Sequence, residues 1–281
     1  MPVVVKASET PAPTNTPTPD SMVRFAVIGD YGSGEQPEED VANLVKSWEP
    51  DFIITTGDNN YPDGSAATID AHVGRYYQAY IHPYVGEYGQ GADRNRFFPT
   101  LGNHDWDTEH GQPYLDYFTL PGNEYYYDFT WGPLHLFALD SDSRQPDGVG
   151  RSSTQAAWLK EGLAGSTAIW KLVYLHVPPY SSGYWGSIDW MRWPFVEWGA
   201  TAVLSGHDHN YERVMRDGFP YFINGLGGGA IYPLGETIEG SEVRYNADYG
   251  AMLVEATDEM LTFQFINRSG EVVDMYSIAN E

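Results

Sequence analysis

Short apolar runs that end in glycine followed by an acid, an amide or a histidine recur along this chain. Val-Arg-Phe-Ala-Val-Ile at 23–28 ends in Gly29-Asp30, and Phe-Ile-Ile-Thr-Thr at 52–56 ends in Gly57-Asp58-Asn59-Asn60-Tyr61. Phe-Phe-Pro-Thr-Leu at 97–101 ends in Gly102-Asn103-His104-Asp105, Trp-Lys-Leu-Val-Tyr-Leu at 170–175 delivers His176, and Ala-Val-Leu-Ser at 202–205 delivers Gly206-His207-Asp208-His209. Apolar runs of this length with glycine at the exit fit buried strands. Between the first two, residues 37–49 carry Val41, Leu44, Val45 and Trp48 at helical spacing with acids in the first turn, which predicts an amphipathic helix. A strand-helix-strand unit of this kind makes its strands parallel, so Asp30 and Asp58 are expected at the same edge of one sheet.

The pattern predicts further helices at 69–81, 154–163 and 188–198. Residues 125–129 and 134–139 flank Gly132-Pro133 and read as an antiparallel pair starting a second sheet, and the runs at 250–257, 260–267 and 271–277 read as antiparallel strands. No repeat of solenoid length is present. The expected fold is α/β (α+β): a four-layer α/β/β/α sandwich of two facing mixed β-sheets flanked by helices, over residues 22–281. Residues 1–21 read differently. Their Pro/Thr-rich run from Ser8 to Ser21 suits an extended, solvated linker, and Pro2-Val3-Val4-Val5 is too short for the apolar part of a signal peptide. Such a tether fits a secreted, periplasmic or cell-surface protein.

Composition narrows the partners. A formal charge of -24, from 39 acidic and 15 basic side chains, argues against nucleic acid as a stable partner and against anionic membranes, since both need a basic footprint. No sustained apolar run approaches the ~18 residues of a membrane span. There is no cysteine among the 281 residues, so disulfides and thiolate sites are excluded and any transition metal must sit on nitrogen and oxygen. The oligomeric state is left open.

Taken singly, the motif residues have plain structural readings. Asp30 and Asp58 suit helix or turn caps, Asn103 an Asx-turn, Tyr61 beside Pro62 simple packing, His176 a hydrogen-bonded strand end, and His207-x-His209 a polar loop. Together and in this order, Gly-Asp-x-Gly, Gly-Asp-x-x-Tyr, Gly-Asn-His-Asp, a lone His and Gly-His-x-His resemble the calcineurin-like metallophosphoesterase superfamily. Tyr61 brings the likeness nearest to the purple acid phosphatases of the tartrate-resistant type. The resemblance spans roughly residues 22–213.

The resemblance implies a binuclear metal centre, in which two cations about 3.5 Å apart clamp a phosphate and activate a water or hydroxide. Asp30, Asp58, Tyr61 and His209 would hold one ion, and Asp58 would bridge to a second held by Asn103, His176 and His207. A phenolate is a hard anionic donor, so the Tyr61 site should prefer Fe(III), with divalent Fe, Zn or Mn at the second. His104 is expected to contact the substrate phosphate or assist proton transfer, with Asp105 orienting it. One departure stands out: purple acid phosphatases of animals and plants carry a further histidine several residues after the one matched by His176, and none lies among residues 177–186 here. The leaving-group proton would then come from His104, a bound water, Tyr180, Tyr184 or His110. His72, His82 and His135 lack motif context and are read as structural.

The implied activity is hydrolysis of phosphomonoesters of small phosphorylated substrates by a metal-bound hydroxide, with phosphodiester or nucleotide hydrolysis on the same centre as the alternative. A non-catalytic, metal-dependent binding module is a further reading. Aromatic residues at Tyr180, Tyr184, Trp185 and Trp190 would either stack on an aryl or nucleoside leaving group or pack in the core.

Overall fold

Alternation within the strands decides which side of each sheet meets which neighbour. In the computed structural model, which describes residues 22–280, Leu172 and Tyr174 of one central strand enter the core between the sheets, while Val173 and Leu175 enter a second core beneath a helix. The expected linker at 1–21 lies outside the described residues.

The chain lays down β1 (Val23–Ile28), β2 (Phe52–Thr55) and β3 (Phe97–Pro99) as a parallel trio. It then crosses to a second sheet for β4 (Tyr127–Trp131), β5 (Leu134–Ala138), β6 (Trp170–Tyr174), β7 (Ala202–Ser205), β8 (Tyr211–Arg216), β9 (Phe219–Asn224) and β10 (Ser241–Tyr245). It returns to the first sheet with β11 (Gly250–Ala256), β12 (Met260–Asn267) and β13 (Val272–Ala279). The orders are β13-β12-β11-β1-β2-β3 and β10-β8-β9-β7-β6-β5-β4. Both sheets are mixed: β1 to β3 are parallel and β5, β6, β7 and β9 are parallel, with antiparallel strands completing each.

The sheets meet through aromatic side chains. Phe98 of β3 stacks on Phe129 of β4 with ring centres 3.8 Å apart, and Phe222 of β9 stacks on Phe263 of β12 at 4.5 Å. Burying each such ring contributes about 2 kcal/mol. Helices cover the outer faces. Gln36–Ser47 buries Val41, Ala42 and Val45 and packs on β11. Thr154–Gly165 starts at Ser153, whose hydroxyl accepts from the Ala156 N–H, and buries Ala156, Leu159 and Leu163 beside Phe137 and Val173. The expected pair of mixed sheets flanked by helices is thus observed. No helix among the described residues is long and apolar enough to cross a membrane.

The pattern missed or misjudged some elements. Residues 188–198 are not one helix but a 3-10 turn, Asp189–Met191, and a short α-helix, Phe195–Trp198, because Pro194 lacks the N–H that a continuous helix needs and disfavours helical geometry at Trp193. Residues 70–80 are helical as expected but pass from π through α to 3-10 geometry. The strands β8, β9 and β10 were not expected: Glu212 and Arg213 in β8 and Pro220 in β9 obscure their alternation.

Candidate metal centre

The carboxyl ends of β1, β2, β6 and β7 open onto one cleft, with the loop after β3 beside them. The exits turn sharply. Asp30, Asp58 and His207 all adopt left-handed backbone conformations, with φ of 54°, 51° and 69°, a conformation that Asp and His tolerate better than bulkier or branched side chains. The preceding glycines make room. A Cβ at Gly206 would sit 2.5 Å from Asp30 Oδ2, and one at Gly57, itself at φ +90°, would sit 2.8 Å from His176 Nδ1. The His207 N–H donates to Asp30 Oδ2 at 2.9 Å and Asn224 Nδ2 donates to the Val27 carbonyl at 2.8 Å, which ties the two sheets together at the cleft.

Asp30, Asp58 and His209 each present one ligand atom, all within 4.8 Å of one another. The Tyr61 hydroxyl lies 3.4 Å from Asp30 Oδ1, 3.1 Å from Asp58 Oδ2 and 3.1 Å from His209 Nε2. On the other side, His176 Nε2 lies 3.1 Å from Asn103 Oδ1, 3.2 Å from His207 Nδ1 and 3.4 Å from Asp58 Oδ2. Asp58 Oδ2 therefore faces both groups.

The ring protons are directed outward. His176 Nδ1 donates to the Thr56 carbonyl at 2.7 Å and His209 Nδ1 donates to the Ala230 carbonyl, so the Nε2 atoms of both rings point inward. Carboxylate, phenol, amide and imidazole atoms thus converge with few donors between them. This donor set fits hard or borderline cations and lacks the thiolates of a structural zinc site.

The electrostatics of the cluster point the same way. Burial works against the His176 cation, but Asp58 and Asp30 outweigh it and raise its pKa to about 10. Burial and the neighbouring His176 push His207 down to about 4. Burial opposes ionisation of Asp58, yet His176 and His104 hold its carboxyl well below the usual range. Burial, Asp58 and Asp30 keep the Tyr61 phenol protonated far above its ordinary value, so its ionisation needs a cation in contact.

His104 sits at the rim. Its ring lies 4.7 Å from that of Tyr61, Nδ1 meets the Pro62 carbonyl, and Nε2 is 3.9 Å from Asp58 Oδ2. Asp105 does not orient it, contrary to expectation. The buried Asp105 carboxylate instead accepts from the Gly102 N–H at 2.8 Å, Asn59 Nδ2 at 2.8 Å and the Asn59 N–H at 3.1 Å. It clamps the second motif loop to the third. Arg144 braces the same segment, donating to the Asn103 carbonyl at 2.8 Å and to Asp107 at 2.8 Å.

The structure separates the remaining candidates. Tyr180 packs on Tyr221, under Arg192 and Arg216, away from the cluster. Trp190 contacts the Ser141 carbonyl, and His110 is exposed in a turn. Trp185 and Tyr184 do reach the site: the Trp185 ring stacks over His207 at 5.8 Å, and Tyr184 stands edge-on to Trp185 at 5.0 Å. Sequence reasoning missed Tyr232, which stacks face to face on His209 at 4.0 Å. Nothing in its local pattern distinguishes it from the other tyrosines. It also missed Asp208, whose carboxylate accepts from Ser181 Oγ and from the Trp185 and Gly186 N–H groups and so fixes the loop that carries Trp185. His135 bonds Asp128 and Ser166, His82 the Ala92 carbonyl, and His72 abuts Gly34.

Comparison with known proteins accords with this arrangement. The family model described as calcineurin-like phosphoesterase matches residues 23–211. The chain is 25% identical over 256 residues to tartrate-resistant acid phosphatase type 5 of Mus musculus, covering 77% of this chain and 76% of that protein. It is 24% identical over 290 residues to purple acid phosphatase 4 of Arabidopsis thaliana, covering 91% and 83%. Among solved structures, purple acid phosphatase PPD1 from yellow lupin (Lupinus luteus) seeds superposes with a TM-score of 0.74 at 18% identity, over 94% of this chain and 55% of that one. GAP50, described as the anchor in the inner membrane complex of Plasmodium, superposes with a TM-score of 0.71 at 20% identity, over 92% and 89%.

Proposed function

The chain belongs to the calcineurin-like phosphoesterase family, and on that premise we propose that it is a binuclear metal-dependent phosphoesterase acting on phosphomonoesters in the manner of an acid phosphatase. The observation that carries this reading is the position of Asp58 Oδ2, 3.1 Å from the Tyr61 hydroxyl and 3.4 Å from His176 Nε2. One oxygen serves two ligand groups. Asp30, Asp58, Tyr61 and His209 would hold one ion, Fe(III) in keeping with the phenolate, and Asp58, Asn103, His176 and His207 would hold a divalent Fe, Zn or Mn. When bound, the two ions supply Lewis acidity toward the phosphate and a nucleophile that ionises at low pH.

The protein's own residues do the rest. The carbonyls of Thr56 and Ala230 fix the tautomers of His176 and His209, so each ring is presented without reorganisation. His104, held at Nδ1 by Pro62, keeps Nε2 at the rim of the cleft, where it is the candidate proton donor to the leaving oxygen. Asp105 acts at one remove by locking the loops of Asn59 and Gly102.

The non-catalytic alternative, a metal-dependent binding module, is disfavoured because Asp30, Asp58, Tyr61, Asn103, His176, His207 and His209 are all retained and brought together. Assaying a panel of phosphomonoesters and phosphodiesters alongside elemental analysis tests the proposal. It expects two metal ions per chain and faster turnover of monoesters.

A further inference from the structure

Tyr184 and Trp185 are the most exposed aromatic side chains among the described residues, at 59% and 55% of their full accessible surface. They stand beside the metal-ligand cluster, not on a remote face. Trp185 stacks over His207, Tyr184 contacts both Trp185 at 5.0 Å and Tyr232 at 5.6 Å, and Tyr232 lies flat on His209. The three rings form a continuous arc running from one ligand group to the other.

The loop bearing Tyr184 and Trp185 is tied down along its length. Besides its bonds to Asp208, the Ser182 N–H and hydroxyl donate to the buried Glu212 carboxylate, and the Ser182 carbonyl accepts from the Gly235 N–H at 2.8 Å and from Arg244 at 3.2 Å. A Cβ at Gly183 would lie 2.3 Å from Asp208 Cγ, so close packing of loop against motif needs the glycine. A rigid loop that presents exposed rings loses little entropy when it binds a further ring.

We propose that Trp185, with Tyr184 and Tyr232, forms a stacking platform that selects phosphoesters whose leaving group is a planar aromatic ring. The proposal rests on the phosphoesterase reading and deepens it. The phosphoryl group would lie at the cluster and the ring of the leaving group against Trp185, where stacking is indifferent to the pattern of substituents on that ring. The same chain lacks a histidine in the segment 177–186, so this loop offers the leaving group an aromatic surface and no imidazole.

The test reads binding, with phenylphosphonate and butylphosphonate as non-hydrolysable probes and orthophosphate as the reference lacking a leaving group. Calorimetry on the metal-loaded protein should show phenylphosphonate binding about tenfold more tightly than butylphosphonate. Trp185→Ala should bring the two within about twofold, and Trp185→Phe should keep most of the preference. Tyr184→Ala should reduce it in part. Equal affinities in the wild type, or a preference that survives Trp185→Ala, would overturn the platform. A parallel loss of all three ligands in Trp185→Ala would also overturn it, by assigning Trp185 to the integrity of the centre. Failure of the hydrolase reading looks different: the phosphonates are still discriminated, but no phosphoester is turned over.

Discussion

The Asp58 carboxylate meets the His176 imidazole at 3.4 Å, Oδ2 to Nε2, and that same oxygen is turned toward the Tyr61 hydroxyl. Loss of its charge weakens both ligand groups at once. Asp58→Asn should therefore cost more activity than any other single ligand substitution, roughly a thousandfold or more, and metal content should fall at both sites. Retention of two ions with near-native turnover would remove the bridging role.

Tyr61 is protonated without a cation and is enclosed by Asp30, Asp58 and His209. Bound to ferric iron it should give a visible phenolate-to-metal charge-transfer band, and Tyr61→Phe should abolish the colour while the fold persists. An oxidised, iron-loaded wild-type protein without such a band would contradict the ferric assignment and leave the family membership intact.

His104→Ala separates two roles for the rim imidazole. As proton donor, His104 matters most when the leaving oxygen is a poor leaving group, so turnover of an alkyl phosphate should fall about a hundredfold and turnover of an activated aryl phosphate by under about tenfold. Equal losses on both substrates would assign His104 to phosphate binding instead.

Much of the site was legible in the sequence because the candidate residues leave short apolar runs, through a glycine at Gly29, Gly57, Gly102 and Gly206 and directly at His176, a pattern that suits strands turning at once into a pocket. Asp30, Asp58, Tyr61, Asn103, His176, His207 and His209 are brought together as that pattern predicts. What escaped depends on distant partners. Arg213 of β8 is satisfied by Asp274 and Glu242, and Glu212 by Ser182 and Ser241, so a charged strand is buried that no local periodicity could mark. Asp105 follows His104 directly in sequence, yet it turns the other way, to Asn59 and Gly102. Tyr232 reaches His209 only through the fold.

The buried Asp140 sets a pH dependence of stability. Burial raises its carboxyl to about 8 despite hydrogen bonds from the Asp142 N–H, Trp106 and Gln145. Its folded pKa exceeds the unfolded value near 4, so its contribution is fully present below about pH 4 and is lost as pH rises toward 8. Asp140→Asn removes the titrating group, so the fall in melting temperature between pH 4 and pH 8 should be a few degrees smaller than in the wild type. An equal fall in the two proteins would show that Asp140 does not titrate in this range.

Stepwise metal loading tests the two-ion account most directly. The stripped protein would be given one equivalent of ferric iron per chain and then zinc, while hydrolysis of a phosphomonoester is followed. Turnover should stay near zero after the iron and rise in proportion to the zinc, reaching its plateau at one zinc per chain. Full turnover with a single ion, or saturation with both and no hydrolysis, would contradict the account.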